Sequence, residues 1–154
     1  MNIVFLDIDG VLNCQSYFKQ RECKGEDIDD KTLSILQKIV KDNNAIIVLT
    51  STWRILDKEN ESYQYLVNKL AKYDLSIYDH TPIMKHNRPL EIKTWLSEHE
   101  DIENWVSLDD DFDESEYINY DIGGHLIHTS FWSKNDTDGL REWHIEEVSK
   151  IFNK

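Results

Sequence analysis

The chain has 154 residues, 40% of them hydrophobic, and carries 30 acidic against 17 basic side chains for a formal net charge of -13. Such a length and apolar content suit a single domain over residues 1–154 and exclude a disordered chain, while the charge disfavours long polyanionic partners over most of the surface. No apolar stretch approaches the ~18 residues that span a bilayer and no basic-then-apolar leader opens the sequence, so a soluble, cytoplasmic protein is expected, without membrane contact and with Cys14 and Cys23 reduced.

The first predicted element is a strand over Ile3–Leu6, a continuous apolar run that ends in Asp7-Ile8-Asp9-Gly10. Burying a carboxylate costs several kcal/mol unless a cation or a shared proton compensates it, so this pair of aspartates asks for a partner or a chemical task. "DDKTLSILQKIVKDNN" then places Leu33, Leu36, Ile39 and Val40 on one helical face, with Asp29 or Asp30 as N-cap and Asn43 or Asn44 near the C-terminus. Ala45–Leu49 ("AIIVL") is a second apolar run, the pattern of a strand buried on both faces of a parallel sheet. Tyr63, Leu66, Val67 and Leu70 mark a helix, and a short third strand is expected over Leu75–Tyr78. Leu90, Trp95 and Leu96 mark another helix entered through Pro89, and Trp105–Leu108 and Leu126–His128 read as strands. The final helix is expected within "DGLREWHIEEVSKIF", with Asp136 or Asp138 as its cap. Strands alternating with helices indicate an α/β, doubly wound, Rossmann-like fold with helices on both faces of a parallel sheet.

In such a fold the residues after each strand gather at one edge. They are Asp7 and Asp9; Thr50, Ser51, Thr52, Trp53 and Arg54; His86, Asn87 and Arg88; and Asp109, Asp110 and Asp111. Carboxylates so crowded call for a hard divalent cation such as Mg²⁺. A strand-end carboxylate beside that cation can attack phosphorus, a second carboxylate can pass protons, and Gly10 lets the backbone turn away sharply. A calcium loop over Asp109, Asp111 and Asp113 is disfavoured, because Glu114 stands where the glycine belongs and Tyr120 where the final glutamate does.

Asp7-Ile8-Asp9-Gly10-Val11-Leu12, the strand end "LTS", a basic residue and "LDDD" resemble, in order and spacing, the four motifs of the haloacid dehalogenase (HAD) superfamily. "TSTWR" and "NRPLEIKTWL" are similar in particular to small HAD-like phosphatases and to the HAD domain of RNA-repair proteins. The resemblance implies that Asp7 is the nucleophile and Asp9 the general acid/base, with Asp9 also giving its main-chain carbonyl to Mg²⁺. It implies Ser51 or Thr50 as the phosphoryl ligand and Arg88 as the third-motif cation, with Lys85 and Lys93 as neighbouring alternatives. Asp109 and Asp110 would complete the metal site, and Arg54 and Gly10 would lie on the substrate side. Little chain separates the motifs, so a domain with no cap or a minimal one is expected. The implied activity is a Mg²⁺-dependent phosphomonoesterase working through an aspartyl-phosphate on a small molecule or a polynucleotide end. An end-healing phosphatase for nucleic acid and a non-catalytic metal- or phosphate-binding module stand as alternatives.

Overall fold

The computed structural model describes residues 1–20, 25–55, 58–133 and 135–154, apart from the side chains of Arg54 and Ile55. Five parallel strands, β1 (Asn2–Leu6), β2 (Ala45–Leu49), β3 (Ile77–His80), β4 (Asn104–Asp109) and β5 (Leu126–His128), form one sheet in the order β3-β2-β1-β4-β5. The apolar run of β1 makes it the centre, paired in register with both β2 and β4, Leu6 lying opposite Leu49 and Leu108. The chain winds outward one way through β2 and β3 and the other way through β4 and β5. The order therefore reverses between β1 and β4, where doubly wound sheets bind ligands.

Helices cover both faces, as the element alternation predicts: α1 (Gln15–Phe18), α2 (Asp30–Asp42), α3 (Glu61–Ala71), α4 (Arg88–Ser97), α5 (Glu114–Ile118) and α6 (Trp143–Phe152). Alternation along each strand divides the core. Val4, Leu6, Ile47, Leu49, Val106 and Leu108 face α2, α3 and α6, whereas Ile3, Phe5, Val48 and Trp105 face Trp95 of α4 and Tyr117 of α5. The caps are local: the side chains of Asp29, Asn60 and Asn87 accept from Lys31, Ser62 and Leu90 amides, and Asp113 and Glu116 form a reciprocal capping box on α5.

Two expected boundaries move. The third strand runs over Ile77–His80 because Leu75 turns into the core ahead of it. The last helix begins at Trp143 rather than behind an Asp136 or Asp138 cap. Asp138 is buried and engaged elsewhere, accepting from the Ser16 amide at 2.8 Å and the Ser16 hydroxyl at 2.7 Å and pairing with Arg141 at 3.1 Å. Burial alone would raise its pKa, but the Ser16 donors outweigh that and hold it at about 2. No helix among the described residues is long and apolar enough to cross a membrane.

Candidate active site

Strand alternation carries through the ends of three strands. Asp7, Thr50 and Asp109 each follow a residue of the opposite core face, so all three project toward α4, whose first residue is Arg88. Asn87 caps that helix and Pro89 occupies its first turn, which fixes Arg88 at the helix mouth beneath the carboxylates.

Arg88 is 5% exposed and ion-pairs with Asp109, which is fully buried. The same Nη1 lies 3.8 Å from Asp7 and donates to Thr50 Oγ1 at 3.4 Å, and Nε lies 3.5 Å from Glu91, also fully buried. The guanidinium carbon sits 5.6 Å from the Phe112 ring centre. Lys85 and Lys93 do not compete for this position. Lys85 is exposed, and Lys93 donates to the Tyr120 carbonyl at 2.8 Å and lies 4.0 Å from Asp121.

Carboxylate oxygens of Asp7, Asp109 and Asp110 lie within 4.8 Å of one another. Of these three, Arg88 pairs with Asp109 and Asp7. Burial lifts Asp7 to about 7, with Arg88 pulling it down and Asp110 pushing it further up. Burial and then Asp7 raise Asp109 to about 7 against Arg88, and burial is the first cause that brings Asp110 to about 6. Arg88 stays cationic, since Asp109 and Asp7 outweigh the desolvation that would strip its proton. Hard oxygen donors, partly dry and short of positive charge, fit a divalent cation of the Mg²⁺ type.

These shifts have a sign that can be checked. An unfolded aspartate titrates near ~3.9, so between about pH 4 and pH 7 the folded protein holds protons that the unfolded chain has released, and stability declines as pH rises through that window. A divalent cation competes with those protons. The metal-free melting temperature is expected to fall from about pH 5 to pH 7.5, and added Mg²⁺ should raise it more at the upper pH. A flat metal-free profile in differential scanning fluorimetry would contradict this.

Asp9 stands apart from the carboxylate cluster. Its side chain is exposed at the mouth, where Oδ1 accepts from Asn13 Nδ2 at 2.9 Å and Oδ2 from Trp53 Nε1 at 3.2 Å. Asn13 Oδ1 in turn accepts from the Gly10 amide at 3.0 Å. Gly10 has φ +83°, and a Cβ there would lie 2.7 Å from Asp110 Cβ and closer still to its carboxyl group. A left-handed backbone and the approach of Asp110 both demand glycine. Gly10→Ala is expected to displace Asp110 and weaken Mg²⁺ binding by about tenfold or more, as measured by calorimetry, by analogy with other changes around metal ligands.

Thr50 and Ser51 are both buried. Thr50 shares the face of Asp7, and Ser51 Oγ accepts from the Trp53 amide at 3.2 Å at the start of a 3-10 turn over Thr52–Ile55. The Arg54 side chain lies outside the described residues, as do Arg21, Cys23 and Lys24. Cys14 is a buried free thiol. Four contributors escape sequence reasoning: Glu91, Asn13, Trp53 as a partner of Asp9, and Thr129, whose hydroxyl donates to the Gly10 carbonyl at 2.7 Å. A Glu three residues after Arg88 on one helix face is the signal that was available for the first.

Among the described residues no cap domain stands over this mouth. Between β1 and α2 the described chain forms α1, and between β2 and α4 it forms the 3-10 turn, α3 and β3. A family model described as the HAD domain in Swiss Army Knife RNA repair proteins matches residues 3–140. No curated protein matches the chain.

Proposed function

The chain belongs to the family of HAD domains found in Swiss Army Knife RNA repair proteins, and on that premise we propose that it is a Mg²⁺-dependent phosphomonoesterase that works through an aspartyl-phosphate on Asp7. The observation that carries this reading is the position of Asp7. It is buried at the end of the central strand, grouped with Asp109 and Asp110 and 3.8 Å from Arg88.

The side chains of Asp7, Asp109 and Asp110 would hold the metal, with the main-chain carbonyl of Asp9. When bound, Mg²⁺ neutralises phosphoryl oxygens and so permits a carboxylate to approach a phosphate dianion. An Asp7 oxygen then attacks phosphorus as the bond to the leaving oxygen breaks, and Asp9, in its acid form, gives that oxygen its proton. Asp9 next takes a proton from water, whose oxygen attacks phosphorus. The Asp7–phosphorus bond breaks, releasing inorganic phosphate and restoring both carboxyl groups. Arg88 and the hydroxyls of Thr50 and Ser51 supply donors to the phosphoryl oxygens, and Asn13 and Trp53 aim Asp9. Gly10 and Arg54 are the residues assigned to the substrate side.

The family description favours a phosphorylated polynucleotide end over a small metabolite as substrate, and a mouth over which no cap stands among the described residues has room for one. A cytoplasmic setting, where thiols stay reduced, suits the buried Cys14. Phosphate release should be measured with and without Mg²⁺ from sugar phosphates, nucleotides, a phosphopeptide and 3'- and 5'-phosphorylated oligonucleotides. Metal-dependent release is expected, greatest on an oligonucleotide end. Mg²⁺ binding with no turnover of any substrate would instead indicate a non-catalytic module.

A further inference from the structure

In a chain with 30 acidic residues, the stretches 10–21 and 122–135 are two of several that contain none. They hold Lys19, Arg21 and Lys134 as their lysines and arginines. The fold brings the two stretches together. The Gln15 amide donates to the Phe131 carbonyl at 2.8 Å, and Thr129 reaches the Gly10 carbonyl.

Large aromatic side chains meet at this junction. Phe18 of α1 lies 6.2 Å from Phe131, centroid to centroid, and Phe131 packs edge-on against Trp132 at 5.0 Å. Trp132 is 67% exposed and Phe18 39%. A tryptophan this exposed contributes little to the core, and its neighbours keep an apolar surface beside a polar mouth. Phe131 follows Thr129 by two residues, a reach of at most about 7 Å from the residue that holds the Gly10 carbonyl. The aromatic segment is thus tied by hydrogen bonds to the loop that follows Asp7 and Asp9.

We propose that Phe18, Phe131 and Trp132 form a stacking platform for nucleobases of a single-stranded polynucleotide whose terminal phosphate enters the Asp7 site. The proposal rests on the phosphatase reading above and names its substrate class. Every base has a π-face, so stacking on aromatic side chains binds single strands without sequence preference, at about tenfold or more per base. Neither stretch adds a carboxylate of its own, and Asp138, whose carboxylate docks on Ser16, is paired with Arg141, which limits local repulsion of a phosphodiester backbone. A folded protein partner needs a broader apolar patch than these three rings present, which favours a polynucleotide.

The test pairs two measurements on the wild type, Trp132→Ala, Trp132→Phe and Phe18→Ala/Trp132→Ala. The first is kcat/KM on a phosphorylated single-stranded oligonucleotide relative to ribose 5-phosphate, which has no base. That ratio is expected to fall about tenfold in Trp132→Ala, further in the double variant, and to recover in Trp132→Phe. The second is fluorescence anisotropy of a labelled single-stranded oligonucleotide, which needs no turnover. Its affinity should fall in the same order. An unchanged ratio with unchanged anisotropy overturns the platform whatever the activity, as does a loss confined to a phosphopeptide. Ordered loss of anisotropy without phosphate release from any substrate supports the platform and overturns the phosphatase reading alone.

Discussion

Asp7→Asn is expected to abolish phosphate release, lowering kcat by at least about 10⁴-fold, the scale seen when a covalent nucleophile is removed. Asparagine keeps the shape of the side chain and removes the attacking carboxylate. It also removes one charge from the mutually repelling group of Asp7, Asp109 and Asp110. The metal-free variant should therefore be at least as stable as the wild type near pH 7.5, because Asp7 is a group whose burial opposes its ionisation and which Arg88 only partly relieves. Loss of activity with equal or higher melting temperature separates a chemical role from a structural one. Lower stability together with partial activity would place Asp7 among the packing residues instead.

Arg88→Met should be the most destabilising single change in the site. Methionine fills similar apolar volume, but it leaves Asp109 and Glu91 fully buried without their cation, and Asp7 nearly so. Removing one member of a buried ion pair costs about 3–5 kcal/mol. In a domain of this size that corresponds to a fall in melting temperature of roughly 10 °C, at about 2–4 °C per kcal/mol. The penalty should shrink below about pH 6, where Asp7 and Asp109 regain protons, and on addition of Mg²⁺. Arg88→Lys keeps the charge but not the planar fork that meets Asp109, Glu91 and Thr50 together, so an intermediate loss is expected. A destabilisation independent of both pH and Mg²⁺ would show that Arg88 acts through packing alone.

Much of this arrangement is legible before any coordinates. Apolar runs at Ile3–Leu6 and Ala45–Leu49 announce a buried parallel sheet, and a parallel sheet gathers Asp7, Thr50 and Asp109 at one edge whatever the details of packing. What the residues do not reveal is orientation at the strand ends. The choice of Arg88 over Lys85 or Lys93 as the cation against the carboxylates follows from its place at the first residue of α4, where it turns under the sheet. Lys93 is drawn off to the Tyr120 carbonyl instead. Thr50 and Ser51 differ by one position in a period of two, which is the whole difference between facing Asp7 and starting the next turn. The Asp138 cap fails for a tertiary reason, since its carboxylate is committed to Ser16 across the fold and to Arg141 three residues on. The four residues of α1 and the five of α5 are too short for helical periodicity to register.

The central claim is a covalent phosphate on Asp7, and acid-quenching the Mg²⁺-loaded enzyme during turnover of a ³²P-labelled oligonucleotide phosphate tests it most directly. The account predicts label on the protein that hydroxylamine releases, as an acyl phosphate requires, and that maps to the peptide containing Asp7. Phosphate release at full rate with no labelled protein at any quench time, or a label that survives in Asp7→Asn, would contradict it.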